Sequence, residues 1–227
     1  MLALDHVVVG AATLAQGVAW CRRTFGIEPA GGGEHGFMAT HNRLFSIAGP
    51  RFPRAYLEVI AVDPLAPAPG RTRWFDLDRP DVRAALDDGP RLLHWVARCP
   101  DVAAVAAAWR AHGVDPGEVI VAERATPHGP LRWRITVPAD GGRAGEGAVP
   151  TLIEWGADGH PADRLAPSGV TLQEATLSVA CVQGATGLVD ALKGSAVTLA
   201  AASPAPIVLQ FETPLGPVRL ASLVLGS

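Results

Sequence analysis

Twice in this chain a histidine sits inside a short apolar run, and each time a later apolar strand carries one acid. The runs are Leu4-Asp5-His6-Val7-Val8-Val9 and Leu92-Leu93-His94-Trp95-Val96-Ala97. The acids stand in Tyr56-Leu57-Glu58-Val59-Ile60 and Thr151-Leu152-Ile153-Glu154-Trp155. A polar side chain in mid-strand is costly to bury unless it is paired or bound to something. A chain that does this four times, in the order His, Glu, His, Glu, must fold so that all four are satisfied. His94 follows His6 by 88 residues and Glu154 follows Glu58 by 96. Such near-equal offsets point to an internal duplication with modest insertions.

The local patterns agree. Ala3 to Gly10 reads as a strand, Thr13 caps a helix through Leu14, Val18 and Phe25, and Gly26 closes it. Gly31-Gly32-Gly33 opens a flexible loop, and Arg43–Ile47 and Tyr56–Val62 read as strands about the Gly49-Pro50 turn. The second pass gives a strand at Leu92–Arg98, a helix from Asp101 to His112 stopped by Gly113, and strands at Glu118–Glu123, Leu131–Val137 and Thr151–Trp155. Residues 1–63 and 91–158 are therefore expected to be two βαβββ units joined by a proline-containing linker over 64–90, with an amphipathic piece at Arg79–Leu86. A third, partial unit is expected over 168–227: strand-like at Val170–Ala180, helical at Thr186–Leu192, then strands at Ile207–Phe211 and Val218–Leu225. In it Glu174 takes the place of the strand histidine, and the closing strand has no acid.

Composition narrows the function classes. With 227 residues, 48% of them hydrophobic, the chain can bury a sizeable core. A formal charge of −3 and the lack of a basic stripe argue against nucleic acid. No uncharged apolar run nears the roughly 20 residues that span a bilayer, so no membrane partner is expected. Cys21, Cys99 and Cys181 show neither a zinc spacing nor an even disulfide set. With no leader-like segment before the first strand, a cytoplasmic protein is expected.

A duplicated βαβββ unit with His on its first strand and Glu on its last resembles the vicinal oxygen chelate superfamily. Within it, the chain is most similar to the bacterial glyoxalase-like domain proteins. The residues that carry the resemblance are Leu4-Asp5-His6, Gly32-Gly33-Glu34-His35, Thr40-His41-Asn42-Arg43-Leu44 and Tyr56-Leu57-Glu58. In the second half they are Leu93-His94-Trp95, Leu131-Arg132-Trp133-Arg134, Leu152-Ile153-Glu154-Trp155 and His160-Pro161. The resemblance implies an α+β fold of paired βαβββ modules in a curved open sheet whose concave face binds a divalent metal. The positions matching its ligands are His6, Glu58, His94 and Glu154, a mixed nitrogen and oxygen set suited to Zn, Ni, Co, Mn or Fe(II).

That centre implies a lyase or isomerase resembling glyoxalase I, acting on a small hydroxycarbonyl substrate, with Glu154 or Glu58 as the base. His35, His41 and Asn42 are candidate substrate contacts on a loop. Arg132 and Arg134 share one face of a strand, opposite Trp133. Either that face is concave and suits an anionic substrate group, or it is solvated and Trp133 is core. Trp95 and Trp155 are expected under the helices, Asp5 and His160 have no evident partner, and His112 and His128 read as surface residues. Two other functions stay open: a metal-free protein that sequesters a small molecule, and an Fe(II) ring-cleaving dioxygenase using two histidines and one carboxylate. Pairing of the units within one chain or across a homodimer also stays open.

Overall fold

The computed structural model describes residues 2–126, 129–181, 185–201 and 205–225; His128 lies outside them. The first βαβββ run is β1 (Ala3–Gly10), α1 (Leu14–Phe25), β2 (Gly31–His35), β3 (Thr40–Ser46) and β4 (Tyr56–Val62). Thr13 accepts from the Gln16 amide, and Gly26 at φ 72° ends the helix as a left-handed cap. The glycine run expected to open a loop instead begins β2, an edge strand whose three glycines carry no side-chain pattern to signal it and which is held by its pairing with β3. After α2 (Pro80–Asp87) come β5 (Arg91–Arg98), α3 (Val102–Ala111), β6 (Glu118–Arg124), β7 (Leu131–Val137) and β8 (Thr151–Trp155).

These eight strands form one sheet in the order β2-β3-β4-β1-β5-β8-β7-β6. β1 runs parallel to β4 and β5 parallel to β8, while β1 and β5 pair antiparallel at the centre. His6 lies opposite Val96 in that central pair. The sheet curls until its edges touch: Arg124 of β6 reaches Asn42 of β3 at 3.3 Å. The fold is thus α+β with a curved, nearly closed eight-stranded sheet, the vicinal oxygen chelate arrangement.

The curl creates two cores. On the convex side Val7, Val9, Leu57, Val59, Trp95 and Leu152 pack against Phe25 of α1 and Trp109 of α3. A second sheet covers the same side, built from β9 (Thr171–Ser178), α4 (Ala185–Leu192), β10 (Thr198–Ala200), β11 (Ile207–Glu212) and β12 (Val218–Ala221). Its order is β10-β9-β11-β12, and Phe211 meets Phe25 edge-on at 5.4 Å between centroids. Glu174 is exposed there and accepts a hydrogen bond from Gln210. On the concave side Val8, Ile60, Leu93, Val96, Trp133, Ile135 and Ile153 close around Trp74 and Phe75 from the inter-unit linker. Phe75 and Asp76 are both left-handed, at φ 60° and 61°. That turn costs about 1–3 kcal/mol per residue and is fixed by a buried ion pair from Asp76 to Arg143 at 2.7 Å.

Candidate active site

The site begins with an irregularity in β1. Leu4 pairs with Ala97 and His6 with Val96, so Asp5 is an extra residue, a β-bulge. The bulge brings Asp5 to the side of its neighbour. Its carboxylate is fully buried and takes three donors: His6 Nδ1 at 2.7 Å, His160 Nε2 at 2.8 Å and Trp155 Nε1 at 3.0 Å. Burial alone would raise the Asp5 carboxyl, but the hydrogen bonds from His160 and His6 outweigh it and hold it well below the usual carboxylate range.

With Nδ1 committed to Asp5, His6 directs Nε2 to Glu58, whose Oε2 lies 3.6 Å away. The other oxygen, Oε1, accepts a 2.6 Å hydrogen bond from Asn42 Nδ2. Asn42 Oδ1 in turn accepts from the Gly33 amide at 2.8 Å and from Arg124 at 3.3 Å. His35 stands beside Asn42, with Nδ1 3.2 Å from Thr40 Oγ1 and Nε2 3.4 Å from Asn42 Nδ2. Burial pushes His35 down to about 3, with Arg124 and His6 adding to the effect, so its ring is neutral. Tyr56 stacks on His6 at 4.6 Å between centroids. Burial, then the charges of Asp5 and Glu58, raise its phenol well above the ordinary value.

His6, His35, Asn42, Tyr56, Glu58 and Arg124 line one cavity inside the curl. Trp74, Phe75, Trp133 and Trp155 form its aromatic wall. With Trp74 and Phe75 in place its free volume is about 30 Å³, enough for a water.

The second half does not mirror this. Thr151 pairs with Val96 as Tyr56 pairs with His6, and Ile153 pairs with Arg98 as Glu58 pairs with Val8. The structural counterparts of His6 and Glu58 are therefore Val96 and Ile153. Glu154 is one residue out of that register, and one residue reverses the face. It points to the helix side, where Oε2 accepts the Val102 amide at 2.8 Å and pairs with Arg134 at 3.1 Å. His94, two residues from its counterpart's place, does face inward. Its Nε2 accepts the Thr151 amide at 3.1 Å, its ring lies 5.5 Å from Phe75, and burial pushes it down to about 3.

The four expected metal donors thus divide into a pair that meets, His6 and Glu58, and two that are engaged elsewhere. Among the described residues no group of three or more His, Cys, Asp or Glu could hold a metal ion. The four-donor set does not fit one ion in this conformation.

The remaining expectations also sort by strand parity. His35 and Asn42 reach the cavity; His41 lies 3.9 Å from Asp63 in an outer recess of about 390 Å³ that His35 also borders. Arg132 pairs with exposed Glu123 and with Asp158, and Arg134 with Glu154, so their face is the outer one and Trp133 is inside. Trp95 is under the helices as expected, whereas Trp155 faces the cavity because it shares the parity of Ile153. Sequence reasoning gave no site role to Asp5, Tyr56, Trp74, Phe75, Arg124 or His160. Only Tyr56, two residues before Glu58 on one strand, carried a readable signal. Burial pushes the Cys21 thiol up to about 12 and Cys99 to about 11, which keeps both inert.

Comparison with known proteins bears on the fold. Residues 4–192 match the family described as the glyoxalase-like domain. A hypothetical protein from Staphylococcus aureus superposes with a TM-score of 0.55 at 16% identity, over 97% of this chain and 86% of that one. A Streptomyces coelicolor methylmalonyl-CoA epimerase in complex with 2-nitronate-propionyl-CoA gives 0.42 at 20%, over 68% and 94%. Methylmalonyl-CoA epimerase from Mycobacterium tuberculosis gives 0.40 at 20%, over 67% and 85%. No curated protein matches the chain. No helix among the described residues is long and apolar enough to cross a membrane.

Proposed function

Since the chain belongs to the glyoxalase-like domain family, we propose that it is an isomerase- or lyase-type enzyme that moves a proton next to a carbonyl in a small oxygenated substrate. Glu58 is the base. The observation that carries this reading is the division of labour on its carboxylate. Oε1 is tied to Asn42, while Oε2 accepts no hydrogen bond among the described residues and lies 3.6 Å from His6 Nε2. That gap is too long for a hydrogen bond, so both atoms can turn to a substrate group bound beside them.

Glu58 Oε2 takes a proton from the carbon beside the carbonyl, the bonding pair passes to the carbonyl oxygen as an enolate, and return of the proton to the same carbon restores the carbonyl. Return to the neighbouring carbon is balanced by the substrate hydroxyl proton crossing to the former carbonyl oxygen through His6 Nε2, with no net redox change. His6 is the positioned partner. In the tautomer that donates Nδ1–H to Asp5, Nε2 is an acceptor and suits a substrate hydroxyl. Neutral His35 and the aromatic walls exclude water, which strengthens each polar contact. Binding anything larger than water requires the Trp74 and Phe75 side chains to swing out of the concave face.

The test is solvent deuterium wash-in, followed by NMR, at the carbon beside the carbonyl in hydroxyacetone and related hydroxycarbonyl compounds. Exchange by the native protein that is lost in Glu58→Gln supports the reading. A second reading, sequestration of a small molecule, is favoured by the aromatic wall. Binding without exchange, equal in the native protein and Glu58→Gln, would select it.

A further inference from the structure

Arg124 enters neither the duplication nor the proton-transfer step, yet it is the cation of this cavity. It is half-buried at the end of β6, and among the described residues no carboxylate lies within ion-pair distance of it. Among the described residues its side chain makes one hydrogen bond, to Asn42 Oδ1. A guanidinium offers five N–H donors in a planar fork matched to a carboxylate. Arg124 is partly exposed and lines the cavity, so its remaining donors are open to a ligand there.

The backbone is shaped to admit it. A Cβ on Gly33 would stand 2.9 Å from Arg124 Nη1 and 3.4 Å from its Cζ. Gly33 is not in the left-handed region, so its own conformation does not require glycine. The guanidinium lies across β2 at the seam of the curled sheet, where a methyl group on residue 33 would push it aside. Asn42 then sets the spacing. One end of its carboxamide meets Arg124 and the other meets Glu58, so cation and base do not neutralise each other. The field of Arg124 also reaches inward, contributing to the lowering of His35.

We propose that Arg124 is the anion anchor of the cavity and that the ligand is a small 2-oxo- or 2-hydroxycarboxylate. Its carboxylate sits on Arg124, with the carbonyl or hydroxyl carbon towards Glu58 and His6. The polar groups available at the two ends match such a molecule. The assignment rests on the proton-transfer reading for the reacting end alone; the anion end stands on Arg124, Gly33 and Asn42.

Isothermal calorimetry with oxalate, its neutral diamide oxamide and inorganic phosphate tests it. Oxalate should bind the native protein saturably and oxamide should not. Arg124→Gln should weaken oxalate about tenfold or more, the scale of one charge-assisted bidentate contact. Gly33→Ala should act in the same direction by displacing the flexible guanidinium, with the fold verified by circular dichroism. Glu58→Gln should bind oxalate at least as well as the native protein, so loss of turnover and loss of anchoring are separable. Absence of saturable oxalate binding, equal binding by Arg124→Gln, or equal binding of oxamide would each overturn the assignment. Phosphate binding as tight as oxalate would overturn the carboxylate class.

Discussion

Asp5 and His6 are consecutive on one strand, yet Asp5 Oδ1 lies 2.7 Å from His6 Nδ1. Regular alternation would send the two side chains to opposite faces. The bulge in β1 removes that alternation at one position and turns two neighbours into a carboxylate–imidazole pair. His160, from far along the chain, adds a second imidazole to the same carboxylate and ties the end of β8 to β1.

Asp5→Asn is therefore expected to be among the most damaging single substitutions in the first unit. The amide keeps one acceptor but places an N–H₂ against donors from His6, or from His160 and Trp155. Removing one partner from a buried charged network typically costs roughly 3–5 kcal/mol. Urea unfolding at neutral pH should show that loss, and the deuterium exchange proposed above should fall with it. A change under about 1 kcal/mol would mean that Asp5 does not organise the site.

Acid should destabilise the protein well before its carboxylates protonate. His35 and His94 are neutral in the fold, with both pulled down to about 3, but titrate near 6.5 when unfolded. Their contribution is fully present above pH 6.5 and is lost as the pH falls from there towards 3. Each histidine adds about 1.4 kcal/mol of loss per pH unit within that window. Chemical unfolding compared at pH 7.5, 6 and 5 measures the slope. A flat profile would show that one or both rings become solvated. Asp5, held low, works in the opposite sense, stabilising above the ordinary carboxylate range and losing that effect only at much lower pH.

How far the sequence could be read follows from what periodicity encodes. β1, β4, β5 and β7 were legible because their apolar residues alternate or run continuously, and α1 and α3 because Thr13 and Asp101 announce them. β2 was not legible, since three glycines carry no pattern. His6, Glu58, His35 and Asn42, named from residue type and position, come together at one cavity. Glu154 was misplaced because an acid in an apolar strand reveals its presence but not its face. The chain reads Tyr-Leu-Glu in β4 and Thr-Leu-Ile-Glu in β8, and only pairing shows that Ile153 occupies the place of Glu58. Arg124 and the Trp74–Phe75 turn were hidden for another reason: contacts across a closing seam and from a linker leave no local signature.

Trp74 makes a sharp probe of the concave face. It is buried, meets His35 and Phe37 edge-on at 5.0 and 5.4 Å, and among the described residues its Nε1 has no hydrogen-bond partner. Trp74→Ala should cost about 3–5 kcal/mol from lost packing and the cavity left behind. Added indole should restore part of that stability, because it refills the space. Destabilisation without rescue would indicate that the linker collapses inward and no chamber forms.

Glu154 gives the cleanest test of which half of the sheet carries function. Its carboxylate accepts the first amide of α3 and meets Arg134 at the partly exposed outer face. A carboxylate at a helix N-terminus contributes about 0.3–1 kcal/mol, and an exposed ion pair adds little. Glu154→Gln should therefore lower stability by about 1 kcal/mol and leave proton transfer unchanged. Titration with Zn, Ni, Co, Mn and Fe(II) should give the same ion affinities, weak or strong, for this variant and the native protein. Glu58→Gln, altering the one carboxylate that faces the cavity and His6, should abolish exchange. If instead Glu154→Gln lost both ion binding and turnover, β8 would have to shift by one residue in the working state. That shift would exchange Ile153 for Glu154 on the concave face and restore the fourfold set implied by the duplication.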